Sequence, residues 1–175
     1  MTADETSERI KRAALQRFVE VGFGSATVDE IAAGAGVGVA TLYRRWPDKA
    51  ALANELMIDY LDVFDALLEP VSGGTPKSRF MVLWRRMWAE ATRDPEQLLF
   101  VEAQSHAGFM TDAVTARKNA AAERWLGAMG DFGIGADPAL ATAVLLGTLT
   151  AAWRAGFELD RDDVAERLWA ALRTA

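Results

Sequence analysis

Between Thr27 and Lys49 the sequence TVDEIAAGAGVGVATLYRRWPDK leaves the backbone little choice. Thr27 with Glu30 three residues on forms a capping box: the hydroxyl accepts the N–H of Glu30 and the carboxylate reaches back to the N–H of Thr27. A helix starts there. Val28, Ile31 and Ala32 fall on one face of it, and Asp29 and Glu30 suit the positive end of its dipole. The spacing predicts that this helix ends near Ala35, with Gly36 in the left-handed conformation that glycine adopts without steric cost. After a turn of about three residues a second helix is predicted from Val39 to Trp46, anchored by Leu42 and stopped by Pro47. Asp48 caps the next helix, which puts Lys49 in its first turn, against the dipole. Two short helices about a glycine turn, the second ending in Tyr43, Arg44 and Arg45, have the shape of a helix-turn-helix that enters DNA.

The stretch from Ile10 to Lys49 resembles the DNA-binding domain of TetR-family (TetR/AcrR) transcriptional regulators. The resemblance rests on Ala13, Ala14 and Phe18 in a first helix, a Val21-Gly22-Phe23 turn, Thr27-Val28-Asp29-Glu30-Ile31-Ala32, Ala35-Gly36-Val37, Thr41-Leu42-Tyr43 and Trp46-Pro47-Asp48-Lys49. It covers about the first fifty residues in sequence, and beyond them only length and helix count agree. It implies that Thr27, Thr41, Tyr43, Arg45 and Lys49 contact phosphates and so set register and orientation. Two departures matter. Gly38 stands where the family often has a capping serine, so a hydroxyl contact is absent. Val39 and Ala40 can touch a thymine methyl but cannot hydrogen-bond a base edge, which leaves Arg44 as the candidate for direct readout.

Net charge is −6, which at first sight argues against nucleic acid. Its distribution answers this. The first 49 residues balance seven basic groups (Arg9, Lys11, Arg12, Arg17, Arg44, Arg45, Lys49) against seven acids, so the remainder carries the whole excess. Binding is therefore expected to be salt-sensitive without strong non-specific attraction.

The rest of the sequence reads as helix throughout. Segments are expected from Asp48 to about Leu68, Lys77 to Thr92, Pro95 to Ala107, Asp112 to Asp131, Pro138 to Phe157 and Asp162 to Arg173. The clearest loop is Pro70 to Pro76. The expected fold is all-α, with about nine helices: a three-helix DNA-binding domain over 1–49 and a helical ligand-sensing and dimerisation domain over 50–175. From Ala139 to Trp153 no residue is charged, so that helix must be covered on more than one side. Ala143, Gly147, Thr148 and Ala151 allow another helix to approach, and Val164, Leu168, Trp169 and Leu172 form the apolar stripe of the last helix. These two helices are the expected homodimer interface, a four-helix arrangement about a twofold axis. A dimer would place its recognition helices about 34 to 36 Å apart on a palindromic operator.

Phe80, Trp84, Trp88, Phe100, Phe109, Trp125 and Trp153 make the later sequence rich in large rings. Such rings suit a hydrophobic, planar or cationic small-molecule effector, with His106 as a polar anchor, although the same spacing also describes ordinary core. A chain with one histidine and no cysteine is a poor transition-metal sensor. No metal or other cofactor is expected. No phosphate loop, nucleophile elbow or Ser/His/Asp set suggests an enzyme. The start Met1-Thr2-Ala3-Asp4-Glu5 lacks a basic then apolar run, and the longest uncharged run, Pro138 to Trp153, is shorter than the roughly 20 residues needed to cross a bilayer. A cytoplasmic, ligand-released repressor is the leading expectation. A ligand-dependent activator, or a helical adaptor that has lost DNA binding, is the alternative.

Overall fold

A computed structural model describes residues 3–69, 73–104, 108–134 and 137–174. Among them the regular backbone structure is helix, in nine segments. They are α1 (Ala3–Ser25), α2 (Val28–Gly34), α3 (Val39–Arg45), α4 (Lys49–Leu67), α5 (Pro76–Arg93), α6 (Pro95–Gln104), α7 (Asp112–Asp131), α8 (Pro138–Arg154) and α9 (Arg161–Thr174).

Local chemistry explains most of these ends. α1 is broken at Gly22, whose φ of 80° and ψ of 157° belong to glycine alone, where the sequence predicts a turn. α2 closes in a Schellman motif: Val37 N–H donates to Ala32 and Gly36 N–H to Ala33, with Gly36 at φ 63°. α5 and α8 each open on proline behind a capping side chain, Thr75 and Asp137 respectively. α8 stops at Arg154, short of the expected Phe157. Gly156 (φ 66°) and Phe157 (φ 56°) turn left-handed there, and Phe157 N–H donates to Ala152 at 2.7 Å. Phe157 packs edge-on against Trp88 at 5.2 Å, a contact that offsets the cost of positive φ in a non-glycine residue.

The chain forms two compact units, residues 1–62 with 96–117, and residues 63–95 with 118–175. In the first, Ile10, Ala14 and Phe18 of α1 are buried, as are Ile31, Leu42, Leu52 and Met57. This unit extends past Lys49 because it recruits α6 and the start of α7. Phe18 stacks on Phe100 at 5.8 Å and Phe23 meets Phe109 at 4.6 Å. Asn54, buried on α4, donates to the Phe109 carbonyl at 2.8 Å and accepts the Thr111 N–H at 3.0 Å. Both polar ends of the amide are thus satisfied.

In the second unit, Phe80, Trp84, Trp88, Trp125 and Trp169 are buried. The indole of Trp84 donates to the Arg161 carbonyl at 2.9 Å and that of Trp125 to the Thr142 hydroxyl at 2.5 Å. Buried indoles keep a partner in this way. No helix among the described residues is long and apolar enough to cross a membrane.

Candidate nucleic-acid interface

α3 has seven residues and is held by two side chains. Leu42 is fully buried and Trp46, just past the helix end, nearly so. Everything else on it turns outward or is half-covered. Ala40, Tyr43 and Arg44, at i, i+3 and i+4, are exposed on one face, and Val39 and Thr41 are half-buried beside them. Tyr43 is 48% exposed, a high value for a ring with no external partner. Gly38 is the N-cap and supplies no side-chain bond. Among the described residues Arg44 makes no hydrogen bond or ion pair, so its five N–H donors face solvent.

Trp46 and Arg45 are tied to α4 through Glu55. The Trp46 indole donates to the Glu55 carboxylate at 2.7 Å, Lys11 of α1 reaches it at 2.9 Å, and Arg45 lies 3.7 Å away. Burial works to raise the Glu55 carboxyl pKa, but Lys11 and Trp46 outweigh it and hold the group below the usual range. Lys11 also binds Asp59 at 2.8 Å, and Arg17 binds Glu30 at 2.6 Å and Glu20 at 3.2 Å. Lys11 and Arg17 of α1 are thus paired internally, while Arg44 and Arg45 of α3 stay exposed.

The capping box is present in full. Thr27 Oγ1 accepts the Glu30 N–H at 3.3 Å and donates to its carboxylate at 2.8 Å, while Thr27 N–H donates to the same carboxylate at 3.0 Å. Arg17 first, and then Thr27, hold the Glu30 pKa down at about 2, from an ordinary 4.5. A depressed folded-state pKa contributes stability above the unfolded value that disappears as pH falls through the folded one. The thermal midpoint of the wild type should therefore exceed that of Glu30→Gln by a constant margin above pH 5, and the margin should close between pH 4.5 and 2. A gap that persists at pH 2 would show that ionisation of Glu30 plays no part.

Lys49 has a different destination from the phosphate that the resemblance implies. Its ammonium donates to the carbonyls of Phe23 and Ala26, both at 2.6 Å, lies 3.4 Å from that of Gly24, and sits 4.5 Å above the Phe23 ring. These carbonyls lie at and just past the end of α1, where helical acceptors lack partners. Spacing within 27–49 gives no sign of this, since the acceptors lie more than twenty residues upstream. Arg9 likewise donates to the Ala35 carbonyl, and a Cβ on Gly36 would come within 2.8 Å of its guanidinium.

The expected pocket rings do not line one cavity. Phe100 and Phe109 belong to the first unit, and Phe80, Trp84, Trp88 and Trp125 to the core of the second. Trp153 is 37% exposed, and His106 lies outside the described residues. A cavity of about 400 Å³ in the second unit is lined instead by Leu67, Leu83, Phe132 and two arginines, Arg79 and Arg86. The i, i+4, i+7 spacing of Arg79, Leu83 and Arg86 on α5 was the available signal. Of the expected interface residues, Ala143, Gly147 and Ala151 are exposed and Thr148 half-buried on α8. On α9, Leu168, Trp169 and Leu172 are buried within the chain, Trp169 lying 5.3 Å from Phe80, and Val164 is half-buried. That apolar stripe is turned toward α5, where it completes the core.

Fold and site together define an all-helical protein with a helix-turn-helix near its N-terminus. Residues 10–56 match the family described as bacterial regulatory proteins, tetR family. An uncharacterized HTH-type transcriptional regulator of Mycobacterium tuberculosis is 39% identical over 70 residues, which span 39% of this chain and 36% of that relative's length. Among solved structures, a TetR family transcription regulator from Marinobacter aquaeolei superposes with a TM-score of 0.76 at 24% identity, covering 95% of this chain and 93% of that one. The transcriptional regulator FadR from Bacillus subtilis, in complex with stearoyl-CoA, superposes with a TM-score of 0.60 at 17% identity, covering 94% and 96%. These likenesses extend the shared fold over nearly the whole chain.

Proposed function

We propose that the protein is a homodimeric transcriptional repressor whose helix-turn-helix binds a palindromic operator and is released by a small-molecule effector. The observation that carries this reading is the exposed Ala40-Tyr43-Arg44 face on a helix anchored only through Leu42 and Trp46. Arg44 reads a base edge, Val39 and Ala40 offer methyl contacts, and Gly38, Thr41, Tyr43 and Arg45 lie against the backbone. Thr27 is foremost a helix cap, and Lys49 foremost a fastening between α4 and the end of α1. Dimerisation is supported by the stripe on α8, where Leu140 is 54% exposed beside Ala143, Gly147 and Ala151. An effector is supported by the fold shared with a regulator crystallised with stearoyl-CoA and by the cavity in the second unit.

The test is a gel shift against DNA flanking the protein's own coding region, with oligomeric state followed by sedimentation. Dimeric protein should retain this DNA at low salt. Arg44→Ala should cost about 1 to 3 kcal/mol and relax preference at one base position. A folded dimer that retains no DNA, or an Arg44→Ala variant with an unchanged sequence profile, would reject the respective assignments.

A further inference from the structure

The cavity in the second unit has a chemistry unlike the one its aromatic-rich sequence suggests. Its volume of about 400 Å³ lies within the span usual for small-molecule sites. The walls are chiefly aliphatic, from Leu67, Leu68 and Leu83, with the edge of Phe132. Arg86 Nη1 donates to the carbonyls of Leu67 at 3.1 Å and Glu69 at 2.8 Å, where α4 ends. Arg79 donates to the carbonyls of Gly74 and of Asp131, the last residue of α7, both at 3.2 Å.

These acceptors hold the guanidinium groups in place without cancelling their charge. Among the described residues neither Arg79 nor Arg86 has a carboxylate within ion-pair distance. Elsewhere in the unit the pattern differs: Arg85 pairs with Asp162, Arg124 with Asp65, Arg167 with Asp163 and Lys77 with Glu166. Glu69 and Asp131 border the cavity, but they meet the arginines through main-chain oxygens, and both residues are exposed. A guanidinium carries five N–H donors in a planar fork, and each of these has donors left over. Such a fork matches a carboxylate or sulfonate edge-on.

From this we infer that the cavity binds an amphipathic monoanion, its acid group between Arg79 and Arg86 and its aliphatic part against Leu67, Leu83 and Phe132. Spare guanidinium donors that no carboxylate occupies favour an anion over a cation. The inference names the effector class for the proposed regulator and rests on that reading only for its consequence at the operator.

Isothermal titration calorimetry of the full chain with decanoate, decane-1-sulfonate and decyltrimethylammonium tests it. Both anions should saturate at one per chain, and the cation should give no saturable heat. Arg79→Gln and Arg86→Gln should each weaken decanoate binding at least tenfold. Because Arg86 also holds the end of α4, Ala128→Phe is the control: Ala128 lines the cavity and is none of the arginines' hydrogen-bond acceptors, so a larger side chain there should abolish binding while helical circular dichroism is retained. Equal binding of cation and anions, absence of saturable anion binding by folded wild type, or full affinity in all three variants would overturn the inference. Operator retention by a protein that ignores decanoate would sink the anion site alone. Arginine-dependent decanoate binding by a protein that retains no DNA would sink the regulator alone.

Discussion

Lys49→Met is expected to lower the thermal midpoint of the protein while leaving the salt dependence of any DNA binding almost unchanged. The ammonium meets two carbonyls at 2.6 Å and covers the Phe23 ring, and methionine keeps the aliphatic stem while removing all three donors. Hydrogen bonds to charged groups contribute about 1.5 to 3 kcal/mol each when well made, and half-exposure of Lys49 pulls the sum toward about 2 to 3 kcal/mol. For a chain of this length that is a fall of about 5 to 10 °C. A phosphate contact predicts the opposite pattern: an unmoved midpoint, and a slope of log affinity against log salt smaller by about 1. Thermal denaturation by circular dichroism and binding at three salt concentrations separate the two roles. A midpoint within about 2 °C of wild type would reject the fastening role.

Asn54→Leu should destabilise the protein by a similar amount and in a more local way. Leucine matches the volume of asparagine closely enough to avoid a cavity, so the cost lies in the Phe109 carbonyl and Thr111 N–H left without partners. The buried Phe109 carbonyl costs about 1 to 3 kcal/mol when orphaned and the part-buried Thr111 N–H about 1 kcal/mol, for a total of about 2 to 4 kcal/mol. The effect should appear first where α7 begins. Hydrogen exchange at the Thr111 amide should accelerate by about two orders of magnitude, as a local opening loses its main restraint. Unchanged exchange at Thr111 would mean that the Phe23–Phe109 and Phe18–Phe100 ring contacts alone fix this loop.

Sequence reasoning succeeded where the cause is local. The Thr27–Glu30 box, the left-handed Gly36, the break at Gly22 and the proline-led starts of α6 and α8 each follow from residues within one or two turns. It failed where a side chain reaches a distant element. The carbonyls that receive Lys49 belong to another helix, and no spacing within the motif announces them. Aromatic density was ambiguous for a related reason: Trp84 and Trp88 at i and i+4 look the same whether they wall a cavity or fill a core. Leu168, Trp169 and Leu172 posed the same problem for α9, since an apolar stripe does not say whether it meets its own chain or a copy. The cavity itself was marked by Arg79 and Arg86, seven residues apart on α5. Two charges at that spacing are usually a solvated face.

The shared carboxylate of Glu55 has a consequence for how such a reader senses ionic strength. Arg45 stands 3.7 Å from an acid of its own protein, which Lys11 and the Trp46 indole also occupy. If Arg45 contacts a DNA phosphate as proposed, it would exchange one anion for another, and Glu55 would keep two partners that compensate it. The charge arriving at the nucleic acid would then come from an ion pair already formed, so the number of salt ions released per basic residue would fall below what a census of lysines and arginines gives.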